Sequence, residues 1–144
     1  MKILIGVDGS DYSRAAVQFV RKLTWPAGTK AIVLSAVQPV AVAYSEYYVA
    51  AIDEGLLAEE RKAHEETVSM TEHDLREVGL DTDARVLDGD PSETIVRIAK
   101  SEKVDLVIVG SHGRTGLAKL VMGSVASHVV SHLPCSVLVV RNPD

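Results

Sequence analysis

Apolar and polar residues follow two alternating patterns along the chain. Short aliphatic or alternating runs predict five strands, at residues 3–7, 31–37, 82–87, 104–109 and 137–140. Apolar residues at helical spacing predict four helices, at residues 11–23, 46–78, 91–100 and 123–132. Most of the strand runs are continuously aliphatic, which is typical of strands that are buried on both faces.

The second helical stretch is the weakest part of this pattern. Its apolar stripe is loose and comprises Ile52, Leu56, Ala63, Thr67, Met70, Leu75 and Val78. The charged residues that we expect to face water are Glu59, Glu60, Arg61, Lys62, Glu65 and Glu66. Gly55 disfavours a helix in the first turns, so residues 39–55 are predicted to be partly irregular.

Strands that alternate with helices predict an α/β fold with a five-stranded, parallel, doubly wound sheet. Because crossovers are right-handed and helices must cover both faces, the chain has to reverse its winding direction. A reversal between the third and fourth strands gives the strand order 3-2-1-4-5. We then expect a ligand in the crevice at the carboxyl ends of strands one and four, near residues 6–8 and 110–113.

The composition is that of an ordinary globular domain, which we expect to span residues 1–144, with 47% hydrophobic and 24% charged residues. The net charge of −5 argues against a general nucleic-acid binder, since such proteins are usually basic. Cys135 is the single cysteine, so no intrachain disulfide forms. No apolar run reaches the roughly 18 residues of a membrane span, and Asp8 comes too early for a signal peptide. We therefore expect a cytoplasmic protein that binds neither nucleic acid nor membrane.

A glycine-rich segment before the last helix is the strongest candidate for chemistry. It reads glycine, two residues, glycine, nine residues, glycine, serine, at Gly110, Gly113, Gly123 and Ser124. The first two glycines let backbone amides approach an anion closely, and the last two residues begin a helix whose unpaired amides favour negative charge. The segment differs from both the P-loop and the G-x-G-x-x-G motif. It predicts a phosphate-binding loop, with a flexible surface loop as the alternative.

Several polar side chains are candidates beside this loop. Asp8 ends the first strand at the predicted crevice, where ligand contact is favoured over a simple capping role. His112 and Arg114 either neutralise phosphate or are merely solvated. His128 and His132 lie four residues apart on a helix with no glutamate between them, which favours an ordinary surface pair over a metal site. No residue is assigned a catalytic or metal-binding role.

The whole chain resembles the universal stress proteins. The resemblance rests on Ile-Leu-Ile-Gly-Val-Asp-Gly-Ser at residues 3–10, Asp-Pro-Ser-Glu-Thr-Ile at 90–95, Asp-Leu-Val-Ile-Val-Gly-Ser-His-Gly-Arg at 105–114, and Pro-Cys-Ser-Val-Leu-Val-Val-Arg at 134–141. It is weakest over residues 40–54. The complete glycine signature is similar to that of the ATP-binding branch of the family.

This resemblance implies an ATP site and assigns residues to its parts. Gly6, Val7 and Asp8 would lie against the adenosine, although the position of Gly6 is a proline in some relatives. Asp8 would accept hydrogen bonds from the ribose or help to hold a metal, and the backbone of Ala36 would meet the adenine edge. The phosphates would lie on Gly110, Ser111, His112, Gly113, Arg114, Thr115, Gly116, Gly123, Ser124 and Val125. Mg²⁺ would be held mainly by the ATP phosphates.

The function that the resemblance implies is an ATP-binding regulatory module in stress response, with at most slow hydrolysis. A homodimer formed through the terminal strand from Val137 to Arg141 is also implied. Two alternatives stay open: an ATPase or self-phosphorylating enzyme, and an interaction protein whose nucleotide site is unused. A two-component receiver domain is disfavoured, because no lysine or final helix follows the last strand.

Overall fold

A five-stranded parallel sheet forms the centre of the computed structural model, which describes residues 1–38, 54–114 and 122–142. Its order is β3-β2-β1-β4-β5, which confirms the predicted fold class and strand order. The strands are β1 Lys2–Gly6, β2 Lys30–Val37, β3 Asp81–Asp88, β4 Leu106–Gly110 and β5 Ser136–Val140. β1 is therefore the central strand, paired with β2 on one side and β4 on the other.

The described helices cover both faces of the sheet. They are α1 Asp11–Lys22, α2 Glu54–Glu77, α3 Pro91–Ser101 and α4 Ser124–His132. One buried cluster joins α1 and α2 to the sheet and contains Ile3 and Ile5 of β1. The other joins α3 and α4 to the opposite face and contains Leu4. Among the described residues, no helix has both the length and the apolar character that crossing a bilayer requires.

Two helices near the carboxyl edge of the sheet begin with capping side chains. The hydroxyl of Ser10 accepts a hydrogen bond of 3.1 Å from the amide of Ser13 at the start of α1. The carboxylate of Asp90 accepts one of 3.0 Å from the amide of Glu93, with Pro91 in the first turn of α3. Hydrogen bonds to its carboxylate lower the pKa of Asp90, and the one from the Ser92 hydroxyl has the largest effect. Each cap contributes about 1 kcal/mol and fixes where the chain enters its helix.

The predicted apolar stripe of α2 is correct at Leu75 but wrong at most of its other described positions, because the buried face is rotated about the helix axis. The residues that face the sheet are His64, Val68, Thr71 and Leu75, at helical spacing. Leu56 and Met70 of the predicted stripe are 59% and 71% exposed. The polar members of the buried face are hydrogen-bonded, Thr71 to the backbone of its own helix and His64 to β2. The predicted first part of this helix, residues 46–53, lies outside the described residues.

The corrected face of α2 can be checked with two alanine substitutions on the same helix. Leu75→Ala removes a fully buried side chain and is expected to lower the free energy of unfolding by about 2–5 kcal/mol. Met70→Ala changes an exposed side chain and should stay within about 0.5 kcal/mol of wild type. Urea unfolding followed by circular dichroism measures both, and similar losses in the two variants would contradict this packing.

Candidate functional site

A cavity of about 290 Å³ opens at the carboxyl ends of β1 and β4. These neighbouring strands send their connections to opposite faces of the sheet, which leaves a crevice between the connections. Gly6 ends β1 and Gly110 ends β4, so neither strand end projects a side chain into it. The predicted crevice and the observed cavity therefore coincide.

Most of the described residues predicted for the site line this cavity. They are Gly6, Val7, Asp8, Ala36, Gly110, His112, Gly113, Arg114, Gly123, Ser124 and Val125. Ser111 does not line it. It is buried, its amide donates to the carbonyl of Val140 at 2.8 Å and its carbonyl accepts from the amide of Gly123 at 2.8 Å, so it joins β5 to the start of α4. Thr115 and Gly116 lie outside the described residues.

The glycines of the loop allow close backbone approach. A Cβ atom at Gly110 would lie 2.8 Å from the carbonyl carbon and oxygen of Tyr12, and a Cβ at Gly123 would lie 3.0 Å from the carbonyl oxygen of Ser111. Both contacts are with backbone, which cannot rotate away as a flexible side chain can. The glycines therefore bring β4, α1 and the start of α4 together around the cavity.

The start of α4 presents backbone amides to the cavity. Gly123 is the residue before the helix, and it has no side chain with which to cap the amides of the first turn. Ser124 and Val125 of that turn line the cavity. Uncapped amides at a helix start carry partial positive charge and form a site for an anion.

Asp8 and Arg114 are joined at the mouth of the cavity. One carboxylate oxygen of Asp8 accepts a hydrogen bond of 2.9 Å from the amide of Ser10. The Nε of Arg114 donates to the backbone carbonyl of Asp8 at 2.8 Å, and its Nη1 lies 3.9 Å from a carboxylate oxygen of Glu60. Half of the Arg114 side chain remains exposed. The loop after β4 is thus tied to the loop after β1 and to α2.

Two residues of α2 belong to the cavity wall although the sequence analysis missed them. Glu60, expected to face water, lines the cavity, and so does His64, which is 3% exposed. The Nδ1 atom of His64 lies 2.7 Å from the hydroxyl of Ser35. The signal was available in the spacing of residues 64, 68, 71 and 75, but it appears only when histidine and threonine are counted as members of a buried face.

Burial lowers the pKa of His64 below its ordinary value of 6.5, and the nearby positive charge of Arg114 lowers it further. The carboxylates of Glu60 and Asp8 act in the opposite direction but more weakly. The imidazole is therefore neutral at pH 7.

The remaining wall is mainly apolar. Leu34 of β2, Ile95 of α3, Val109 of β4 and Ala126 of α4 line it. This part suits an apolar or weakly polar group, whereas the glycines and the start of α4 suit an anion. One cavity therefore offers an apolar slot beside an anion site, an arrangement that is common where ligands carry both kinds of group.

Residues 1–141 match the model of the universal stress protein family. The universal stress protein MJ0531 of Methanocaldococcus jannaschii is 34% identical over 144 residues, which cover 99% of this chain and 82% of that protein. A universal stress protein of Thermus aquaticus is 32% identical over 140 residues, covering 96% and 97% of the two chains.

Solved structures share this fold. That of MJ0577, from Methanocaldococcus jannaschii, superposes with a TM-score of 0.86 at 27% identity and covers 99% of this chain and 96% of its own. A universal stress protein in complex with cAMP gives a TM-score of 0.70 at 23% identity, with 99% and 98% coverage. The Archaeoglobus fulgidus protein in complex with dAMP gives 0.68 at 20% identity, with 96% coverage of each chain.

The lowered pKa of His64 predicts how stability responds to pH. The folded protein resists protonation of this ring, whereas the unfolded chain accepts a proton near pH 6.5. The free energy of unfolding contributed by His64 should therefore be fully present above pH 6.5 and fall as the pH drops below it, by at most about 1.4 kcal/mol per pH unit. Urea unfolding between pH 7.5 and 5.5 measures this slope.

The matched variants for this measurement are His64→Asn and His73→Asn on the same helix. His64→Asn should flatten the dependence on pH, and His73→Asn on the exposed side of the same helix is the control. An equal slope in wild type and His64→Asn would show that another group is responsible.

Proposed function

The chain belongs to the universal stress protein family, and on that premise we propose that it is an ATP-binding member whose cavity between β1 and β4 is the nucleotide site. One observation carries the proposal: the glycine turn after β4, residues 110–114, and the uncapped start of α4 contribute to the wall of the same cavity, beside apolar residues. Relatives of this fold in complex with cAMP and dAMP support an adenine nucleotide as the occupant.

The proposed placement of the nucleotide follows from the chemistry of the wall. The base lies against the apolar residues, near the backbone of Ala36. The ribose lies by Asp8, whose carboxylate accepts from hydroxyls. The phosphates lie on the amides of the glycine turn and of α4, with Arg114 and the hydroxyl of Ser124 as further donors. The predicted residues Thr115 and Gly116 would complete the loop. Mg²⁺ would be bound by phosphate oxygens, which are ligands that it prefers.

A regulatory role follows from what the nucleotide would connect. Its parts would contact the ends of β1 and β4 and the start of α4, which belong to distant parts of the sequence. Binding to the folded form alone adds about 2.7 kcal/mol of stability at a ligand concentration of one hundred times Kd. We propose that occupancy of the site, with at most slow hydrolysis, is what a partner in the cytoplasm senses.

Calorimetry with ATP and Mg²⁺ tests the site. Wild type should bind ATP with a Kd in the micromolar range, and Ser124→Ala should weaken binding about tenfold or more, because it removes one hydrogen bond to a charged oxygen. Ser131→Ala on the same helix is the control, since its hydroxyl bonds only to the backbone of Ser127 in the described structure. Ser124 is a cleaner probe than Gly123, where any side chain also meets the backbone of Ser111.

The same titration with ADP, AMP and cAMP ranks the nucleotides, and release of bound small molecules by denaturation identifies what the purified protein carries. Preference for a monophosphate would replace ATP in the proposal, and no binding by any of them would refute it. Release of inorganic phosphate over hours then separates slow hydrolysis from an ATPase or a self-phosphorylating enzyme.

The edge strand β5 supports the second part of the proposal, a homodimer through residues 137–141. Among the described residues, no strand pairs with its outer side. The carbonyl of Val140 accepts a hydrogen bond from the amide of Ser111, so the backbone N–H and C=O groups of Val140 point toward β4. Because alternate residues of a strand direct their backbone groups to opposite sides, the N–H of Val139 faces outward and is available to a second copy.

Proline substitutions in β5 test this dimer. Val139→Pro removes an outward N–H and should leave a folded monomer, since proline is tolerated at a sheet edge. Leu138→Pro removes an N–H that faces β4 and should instead destabilise the fold. Sedimentation equilibrium measures the mass. A wild-type monomer, or a Val139→Pro dimer of unchanged affinity, would exclude this interface.

A further inference from the structure

His64 forms a short hydrogen-bonded chain at the wall of the cavity. Its Nδ1 lies 2.7 Å from the hydroxyl oxygen of Ser35, and that hydroxyl lies 2.7 Å from the carbonyl oxygen of Val7. Val7 follows β1, Ser35 lies in β2 and His64 lies in α2. These hydrogen bonds therefore connect α2 to the ends of β1 and β2, which border the site.

Counting protons along this chain fixes the state of the imidazole. A serine hydroxyl has one hydrogen, and the carbonyl of Val7 has none to give. Ser35 therefore donates to Val7 and accepts from His64, which places the ring proton on Nδ1. Because burial keeps the ring neutral, Nε2 carries a lone pair and no proton.

Nε2 is shielded from water and has no hydrogen-bond partner in the described part of the chain. A buried acceptor left in this state is rare and destabilises the folded protein. Since the ring belongs to the cavity wall, a donor bound against this part of the wall is a group that can satisfy it.

Only some groups of an adenine nucleotide can donate a hydrogen bond to Nε2 of His64. Ionised phosphate oxygens accept hydrogen bonds only, so Nε2 repels them, which leaves the ribose hydroxyls and the exocyclic amine of the base. The charges that act on His64 include those of Arg114 and Asp8, beside the glycine turn. The ribose adjoins the phosphates, whereas the amine lies at the far end of the base. The carboxylate of Asp8 supplies a second acceptor, and two acceptors suit a vicinal diol.

We propose that Nε2 of His64 accepts a hydrogen bond from a ribose hydroxyl of the bound nucleotide and thereby selects ribonucleotides over deoxyribonucleotides. The inference rests on the proposed function, since it requires a nucleotide in the cavity. His64 would contact the sugar directly, and Ser35 would act as a positioning residue that holds the imidazole in the required tautomer.

The test combines ligand analogues with two substitutions. Wild type, His64→Asn and His64→Gln are titrated with ATP, 2′-deoxy-ATP, 3′-deoxy-ATP and the purine riboside triphosphate that lacks the amine. Asparagine can still donate to Ser35 but has no acceptor at the position of Nε2, whereas the longer glutamine can restore one. His73→Asn on the exposed side of α2 is the control.

Wild type should bind one of the two deoxy analogues about fivefold more weakly than ATP, as expected for loss of one neutral hydrogen bond. The affinity of His64→Asn for ATP should fall to the affinity of wild type for that analogue, and His64→Gln should recover part of the difference. Equal binding of ATP and both deoxy analogues by wild type, or an unchanged preference in His64→Asn, would overturn the inference. Selective loss with the analogue that lacks the amine would assign Nε2 to the base instead.

A measurement on wild type keeps the test independent of variant folding. In protein with ¹⁵N-labelled histidine, the Nε2 resonance of His64 should have the shift of an unprotonated nitrogen and should move on addition of ATP but not of 2′,3′-dideoxy-ATP. Equal movement with both nucleotides would refute the contact. Binding of no nucleotide at all would refute the proposed function and this inference together, whereas binding without sugar selectivity would refute only the inference.

Discussion

The geometry of this protein depends on a parallel sheet that is buried on both faces. Such a sheet hides its hydrogen-bonded centre and leaves one open place, where neighbouring strands send the chain to opposite faces. Here that place lies between β1 and β4, and both strands end in glycine. A Cβ at Gly6 would meet Ile95 at 2.9 Å, and one at Gly110 would meet the backbone of Tyr12 at 2.8 Å. The crevice therefore stays narrow without being filled by side chains.

The topology and the backbone half of the site could be predicted from the sequence because their signals are local. Aliphatic runs indicate the buried strands, and the glycines at 110, 113 and 123 indicate where a ligand can approach the backbone amides. The side-chain half was not predictable in this way. His64 takes its place only through Ser35, twenty-nine residues earlier in a strand that appears purely apolar. In the sequence, Glu60 is one of several charged residues on a helix face that is expected to be exposed to solvent, although it lines the cavity near Arg114.

The same contrast explains the rotation error in α2. Apolarity alone selects Leu56 and Met70, which are exposed, because a surface helix can carry isolated apolar residues without cost to solubility. The buried face instead includes two polar residues: the hydroxyl of Thr71 donates to a carbonyl of its own helix, and Nδ1 of His64 is hydrogen-bonded to Ser35 of the sheet. A pattern of hydrophobicity cannot register such pairs until the partner element is known. Two of the positions that the pattern misjudged, Glu60 and His64, are also where the helix lines the cavity.

The pairing of β1 with β4 has a consequence for biosynthesis. Ile3 pairs with Ala31 of β2 and also with Leu106 of β4, so one side of the central strand is completed long before the other. At about 5–20 residues per second, a ribosome needs roughly 5–20 seconds to make the intervening hundred residues. Until then β1 has an open edge, and the two walls of the crevice do not face each other. The site is consequently a late product of folding, and a ligand bound there would mark a chain whose central strand has been closed on both sides.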